Sequence, residues 1–391
     1  MKGLRTERAQ KYPMHYKLYR TIQDIAPQAW DACAGVDNPF ISHAFFRILE
    51  DSGSVGGETG WFPQYVAFYT EAGVIAAVVP LFIKTHSYGE YVFDHDWAEA
   101  FEKAGGAYYP KLQIAVPFSP VPGARILIRA GCEIDIKEIA DCLTSICRQL
   151  KISSVHMTFC TKEEQTELSA ANWMPRLGIQ FHWHNQNYKT FDDFLAQLSS
   201  NHRKTIKRER RDVQKSGLDI KTLSGAEITN EHWDAFYAFY LSTVERKWGT
   251  AYLTRSFFTL LSHSFPDKVV LVMAEEKGRP VAGALNLRGR ETLYGRNWGS
   301  IGAWPFLHFE LCYYRAIDYA IETGLKNVEA GAQGIHKIQR GYLPEYTYSA
   351  HWIAHSGLSR AVEGFLDHER QAIRANMQGL ATLSPFKARQ D

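Results

Sequence analysis

Three stretches of the sequence carry charged and polar residues in patterns that could do chemistry. The first is Asn201-His-Arg-Lys-Thr-Ile-Lys-Arg-Glu-Arg-Arg-Asp-Val-Gln-Lys215. Ser200 or Asn201 suits a helix start and Gly217 a helix stop, and Arg203, Lys207, Arg211 and Lys215 fall four apart on one face. With Lys204 and Arg208, that face could hold the phosphates of a nucleotide, a coenzyme or an RNA. A solvated surface helix is the plainer alternative. The second stretch is a strand around Leu293 to Trp298, whose alternation puts Tyr294, Arg296 and Trp298 on one face, an arginine flanked by aromatics. A helix with His308 and Glu310 at its start follows, where the helix dipole favours the carboxylate. The third is Val328-Glu-Ala-Gly-Ala-Gln333, read as a strand with Glu329, Gly331 and Gln333 on one side. His336, Lys337 and Arg340 come directly after it. A carboxylate beside glycine leaves room for a substrate to approach the backbone.

From these residues Glu329 is the candidate base or amine-orienting group, with His308 and His336 as alternative proton relays. Tyr294, Arg296, Trp298, Gln333, Lys337 and Arg340 are candidate substrate contacts, the cations serving an anionic part of donor or acceptor. Arg203, Lys204, Lys207, Arg208 and Arg211 are the candidate polyanion-binding set. The pair His182 and His184, and the run Asp94-His-Asp96, lack the further spacing that completes a metal site, so none is expected. Cys312 lies on an apolar helix and reads as packing rather than a nucleophile. The sequence has no G-x-G-x-x-G opening a helix, no phosphate-binding P-loop and no G-x-S-x-G elbow, so those enzyme classes drop out.

The elements that must position these residues show an internal repeat. Phe40-Ile-Ser-His-Ala-Phe-Phe-Arg-Ile-Leu49 matches Tyr252-Leu-Thr-Arg-Ser-Phe-Phe-Thr-Leu-Leu261 position by position, each with a capping hydroxyl, Ser42 or Thr254, before a Phe-Phe pair. A strand, a glycine turn and a second strand follow in both places, from Tyr65 and from Val269. A length of 391 residues allows two or three domains at ~150 residues each. The pattern predicts a duplicated unit of mixed α/β class, with hairpin strands before a helical crossover. The expected division is a tail over 1–13, a first domain over 14–175, a second over 176–356 carrying the basic helix 200–216, and a helix and tail over 357–391. Pro175 and Gly178 mark the break.

Lys plus Arg number 44 against 42 Asp plus Glu, a net charge of +2, so any basic surface must be local. Six cysteines without a C-x-x-C, an amino terminus without an apolar core and no run of ~20 apolar residues give the expectation of a reduced, cytoplasmic protein without a transmembrane segment.

The strings Asn38-Pro-Phe-Ile-Ser-His-Ala-Phe45, Lys84-Thr-His-Ser-Tyr-Gly-Glu-Tyr-Val-Phe-Asp94, Tyr108-Tyr-Pro-Lys111 with Val116-Pro-Phe-Ser-Pro120, and Glu329-Ala-Gly-Ala-Gln-Gly-Ile-His-Lys337 with Arg340-Gly-Tyr-Leu-Pro344 resemble the FemAB-like family of bacterial predicted N-acyltransferases. The resemblance implies tandem acetyltransferase-like (GNAT) domains. It also implies transfer of an activated acyl or aminoacyl group to an amine, with aminoacyl-tRNA or acyl-CoA as co-substrate and a peptide or cell-wall precursor as acceptor. No permanently bound cofactor is implied. The Gly-rich pyrophosphate loop of ordinary acetyltransferases is replaced by Trp298-Gly-Ser-Ile-Gly-Ala-Trp-Pro-Phe-Leu-His308. An acetyl-CoA-dependent acetyltransferase and a non-catalytic recognition module for a precursor or RNA stand as alternatives. The stretch Tyr108 to Pro120, which lacks a counterpart of Glu329, is expected to bind acceptor.

Overall fold

The computed structural model describes residues 15–247, 249–331 and 334–387. The expected tail over 1–13 and Gln333 lie outside them. The first half holds β1 (His15–Tyr19), α1 (Pro27–Ala34), α2 (His43–Asp51), β2 (Trp61–Pro63), β3 (Tyr65–Tyr69), β4 (Ile75–Val79), β5 (Leu81–Lys84), α3 (His95–Lys103), β6 (Lys111–Ile114), β7 (Leu127–Ile128), α4 (Ile136–Gln149), β8 (Ser154–Cys160), α5 (Lys162–Ala170) and β9 (Met174–His184). The second holds α6 (Phe191–Gln197), α7 (Ser200–Gln214), β10 (Asp219–Ser224), α8 (Asn230–Lys247), α9 (Arg255–Ser264), β11 (Val269–Glu276), β12 (Arg279–Arg288), β13 (Thr292–Ser300), α10 (Leu307–Phe309), α11 (Arg315–Glu322), β14 (Asn327–Glu329), β15 (Leu343–Ile353) and α12 (Ser356–Ala381).

The repeated decapeptides fold alike. Ser42 accepts from the Phe45 amide at the start of α2, and Thr254 accepts from the Phe257 amide at the start of α9. The second Phe of each pair enters an aromatic core, Phe46 against Trp30 at 5.4 Å and Phe258 against Trp233 at 5.9 Å. The first Phe of each pair meets the other, Phe45 edge-on to Phe257 at 6.2 Å. The two copies therefore pack on each other through equivalent residues in one shared apolar core.

The strands repeat as well. β1, β3 and β4 pair antiparallel in order, as do β10, β11 and β12. In the first half α4 crosses from β6 to the parallel β8, and in the second α11 crosses from β13 to the parallel β14. The closing strands are exchanged. β9, which follows β8 in sequence, pairs with β14, while β15 pairs with β8 and with β9. One sheet of eleven strands results, in the order β10-β11-β12-β13-β14-β9-β15-β8-β6-β5-β2, beside a sheet of four, β1-β3-β4-β7.

Two expectations are corrected here. Pro175 and Gly178 do not interrupt the chain but sit inside β9, opposite Ala350 and Thr347. That end of β9 has a strand partner on one side only, where a proline and a glycine are tolerated. The strand expected from Val328 to Gln333 stops at Glu329, because the chain turns off at Gly331 with φ +75°, a conformation that glycine holds without strain.

Candidate active site

A cavity of about 610 Å³ lies where the two halves meet. β13 supplies one wall, the end of α8 a second, and the first-half loop from Ser87 to His95 a third. The close seat of α8 on β13 depends on Gly299, where a Cβ would stand 2.0 Å from the Phe239 carbonyl oxygen.

β13 is bulged. β12 pairs Leu285 with Asn297 and Asn286 with Gly295, so Arg296 is an extra residue without a partner. A bulge resets the alternation of a strand and re-aims its side chains. Arg296, Asn297 and Trp298 line the cavity, whereas Tyr294 stays in the core, edge-on to Phe40 at 5.3 Å. The face expected to hold Tyr294, Arg296 and Trp298 together is thus broken, and Tyr294 is not a wall residue. The Arg296 guanidinium donates to the Phe118 carbonyl oxygen at 2.7 Å, a bond from one half of the molecule to the other.

β14 pairs with β13 only over Thr292–Tyr294. Beyond that point the strands part, and Ala330 and Gly331 line the opening. Glu329 does not. It stands opposite His182 of β9, and burial pushes its carboxyl up to about 7 against the pull of His182 and Arg296. The candidate base is therefore half-buried beside the wall and is not among the residues that line it. His182 and His184 both engage Glu345, His182 at 3.0 Å, and His184 also meets Asn327 at 2.8 Å. No cluster of His, Cys, Asp or Glu among the described residues could hold a metal.

The remaining wall is irregular backbone. Phe306 takes a left-handed conformation before the short α10, and Glu310–Tyr314 form a wide π-turn of the kind found at functional sites. His308, Cys312 and Tyr313 reach the cavity from here. A 3-10 turn, Ile335–Arg340, brings His336 and Lys337 to meet them. The Tyr313 hydroxyl and His336 Nε2 lie 3.0 Å apart, and the His308 ring is 5.3 Å from that of Tyr313. Burial, with Arg340 and Lys337 nearby, lowers the His336 pKa, so the ring is neutral at pH 7. Lys337 is buried and donates to the Gly331 carbonyl oxygen at 2.8 Å. Among the described residues no carboxylate pairs with it, and burial draws its ammonium down to about 8.

Arg340 faces away from this group. It pairs with buried Glu209 of α7 at 2.7 Å, donates to the His336 carbonyl oxygen at 2.8 Å and lies 3.4 Å over the Phe309 ring. It is a strut between α7 and the His336 turn, not a substrate contact. α7 buries Ile206, Glu209 and Val213, and Arg210 holds Asp318 at 2.6 Å and Glu310 at 3.1 Å. Glu310 is thus an ion-pair partner as well as a group at a helix start. On the outer face Lys204, Lys207, Arg208 and Arg211 are exposed, Lys207 within 2.9 Å of Asp192, and Arg203 is half-buried. None of the five lines the cavity.

The structure therefore gathers Arg296, Trp298, His308, His336 and Lys337, and leaves Tyr294, Glu329 and Arg340 outside the group. The sequence reading missed the aromatic loop Tyr88, Tyr91 and Phe93, and the stack of Phe118 on Tyr252 at 5.1 Å. It also missed a buried network under that loop. Lys111 bonds Glu90 at 2.7 Å, Asp94 at 2.5 Å and Ser87 at 2.7 Å, while Lys84 bonds the Tyr88 carbonyl oxygen at 3.0 Å. The expectation of an acceptor role for Tyr108 to Pro120 divides accordingly: Phe118 and Pro120 reach the cavity, and Lys111 is consumed by its carboxylates. The clue was two lysines in strands that are buried and mostly apolar, which the fold sets directly opposite each other on β5 and β6.

The sequence profile of the FemAB-like family, described as peptidoglycan biosynthesis/recognition, matches residues 21–388. The chain belongs to this family. FemAB-like architecture is shared with FemX at 12% identity, over 90% of this chain and 100% of that one, with a TM-score of 0.54. L-PGS from Bacillus licheniformis is similar at 11% identity over 82% of this chain and 95% of that one, with a TM-score of 0.49. A tandem GNAT protein of the clavulanic acid pathway follows at 9% over 88% and 99%, with a TM-score of 0.47. No curated protein matches the sequence. The FemX likeness, together with the repeat, gives this FemAB-like chain a duplicated GNAT-type fold. No helix among its described residues is long and apolar enough to cross a membrane.

Proposed function

We propose that this FemAB-like chain transfers an activated acyl or aminoacyl group to an amine inside the cavity between its halves. The observation that carries the reading is Lys337, a buried ammonium at the wall of a mostly apolar cavity, beside two histidines and without a carboxylate partner among the described residues. The amine nitrogen attacks the acyl carbon and forms the N–C bond. His336, oriented by Tyr313, takes the amine proton, with His308 as the alternative relay. Negative charge gathers on the carbonyl oxygen, which Lys337 stabilises in a low-dielectric setting. Collapse breaks the bond to the carrier oxygen or sulfur, which receives the proton. No covalent enzyme intermediate is involved, and burial raises the Cys312 thiol far above the range of a nucleophile.

The basic face of α7 suits a phosphate-bearing carrier, aminoacyl-tRNA or acyl-CoA, lying outside the cavity. The amides of Leu307, Phe309 and Glu310 are bonded to Trp304 and Phe306 carbonyls, so the start of α10 offers little to a pyrophosphate. The family description favours a cell-wall or peptide precursor as the amine.

The test supplies the purified chain with aminoacyl-tRNA or acyl-CoA donors and a UDP-linked peptidoglycan precursor, and follows N-acylated product by mass. Product that is lost in Lys337→Met and His336→Gln supports transfer. Tight precursor binding without product from any donor would leave a recognition module instead.

A further inference from the structure

The make-up of the cavity wall constrains the group that fits inside it. Aromatic side chains arrive from separate parts of the chain: Tyr88, Tyr91 and Phe93 from the first-half loop, Phe118 stacked on Tyr252 between the halves, and Trp298 from β13. The described wall contains two basic side chains that are cationic at pH 7, Arg296 and Lys337, and no aspartate or glutamate. A volume of about 610 Å³ is in the range that buries a ligand far larger than an acetyl group.

Charge decides between acyl groups of that size. An aminoacyl group carrying its ammonium would face two cations with no carboxylate on the described wall to pair with, and burying an unpaired charge is strongly unfavourable. An apolar acyl group meets the rings of Tyr88, Tyr91, Phe93, Phe118, Tyr252 and Trp298, and its carbonyl oxygen points charge toward the cations only as the oxyanion forms. The aromatic loop is also fixed in advance. Tyr88 and Phe93 stand at the mouth, 58% and 49% exposed, while the same loop is anchored underneath by Glu90 and Asp94 on Lys111. A preformed apolar wall binds without an ordering cost.

We propose that the acyl group this cavity receives is large and apolar, an aryl or medium-chain alkyl acyl group with its carbonyl toward Lys337, rather than an acetyl or a charged aminoacyl group. This rests on the transfer reading above, and it makes a claim about binding that can be measured without turnover. The free acid of such an acyl group places a carboxylate where the oxyanion would form.

Calorimetric titration of the full chain with decanoate and 4-phenylbutyrate, against decylamine and acetate, tests it. Both apolar acids are expected to bind at least ~10-fold tighter than either control, a gap of about 1.4 kcal/mol. Lys337→Met should weaken the acids by a similar factor, and Val244→Trp, which fills the cavity from α8, should abolish binding. If the tryptophan variant does not fold, the lysine variant and the matched pair decanoate and decylamine decide alone. Decylamine or acetate binding as tightly as decanoate would overturn the proposal, as would acid binding indifferent to Lys337. Failure of the two readings is distinguishable. Apolar acids that bind as stated, with no product from any donor, would sink transfer and leave the binding site. Transfer of small or charged groups without acid binding would sink the inference and leave transfer.

Discussion

Beside β6 and β8 the first half closes its polar residues on one another. Lys111, Glu90, Asp94 and Tyr108 bond in a buried set, and His156 on β8 meets Ser154 at 2.7 Å and His351 of β15 at 2.7 Å. Beside β13 and β14, the equivalent parallel pair, the second half leaves a lysine, an arginine and two histidines on the wall of a cavity. Burial pulls the Lys111 ammonium down, but Glu90 and Asp94 outweigh it and raise its pKa, whereas at Lys337 burial prevails over the opposing pull of Cys312 and the pKa falls to about 8. The contrast teaches what duplication permits. One copy of the fold pairs its buried lysine with carboxylates, and the other sets its lysine on a cavity wall with none paired to it among the described residues.

The sharpest way to break this comparison is to remove each lysine in turn. Lys111→Met removes the cation from buried Asp94 and leaves Glu90 only Lys84 at 3.8 Å, and should cost about 3–5 kcal/mol in denaturant unfolding. Lys337→Met should cost nothing or stabilise, by up to ~3 kcal/mol at pH 7. The sign follows from protons: folded Lys337 releases its proton near pH 8, the unfolded chain near 10.5, so wild-type stability rises between those values and the methionine variant lacks that rise. Equal losses from the two substitutions would erase the distinction between scaffold and site.

The next largest effect is on turnover. Lys337→Met should lower it about 10²–10³-fold, the scale of losing one oxyanion donor. In the wild type, activity should fall above about pH 8 as the ammonium is lost, and this alkaline limb should vanish in the variant.

Glu329 sharpens the comparison at smaller scale. Its carboxyl holds a proton to about pH 7 when folded and to about 4.5 when unfolded, so stability falls as pH rises through that window. Glu329→Gln should remove the fall and gain about 1–3 kcal/mol at pH 8, read from unfolding at several pH values. Because the side chain is off the wall, turnover should change far less than in Lys337→Met. A loss as large would return Glu329 to the chemistry.

How much of this was legible varies by region. The repeat was, since its two decapeptides carry their own caps and phenylalanines, and local signals of that kind survive folding. The exchange of β9 and β15 was not, because both strands pair with partners far off in sequence, from Asn327 on His184 to Ile353 on Ser154, and nothing local marks which neighbour they choose. At β13 the alternation rule failed at one residue, the bulged Arg296, and that one residue returned Tyr294 to the core. Arg340 looked like a ligand contact because its partner Glu209 lies 131 positions earlier on a helix whose basic outer face dominates the sequence. The aromatic loop has no periodicity at all, so nothing in its spacing announces a wall.

The smallest effect concerns that outer face. Replacing Lys207 and Arg211 with Ala should flatten the salt dependence of tRNA or acyl-CoA binding by about 0.7–0.9 logarithmic units of slope for each phosphate contact removed, leaving unfolding midpoints unchanged. An unaltered slope would leave α7 as a strut for the His336 turn and nothing more.

The exchanged strands also set a timetable for synthesis. β8 leaves the ribosome with its edge bare and must wait for β15, whose residues follow almost two hundred positions later. At about 5–20 residues per second that wait is on the order of ten seconds or more. Throughout it, a strand such as Ser154–Cys160, buried along its whole length in the finished fold, offers unpaired amides and carbonyls to any other nascent chain nearby. The first half is thus the earlier half to be made and cannot be the earlier half to be finished, so the nascent protein depends on whatever shields that edge until its last strand arrives.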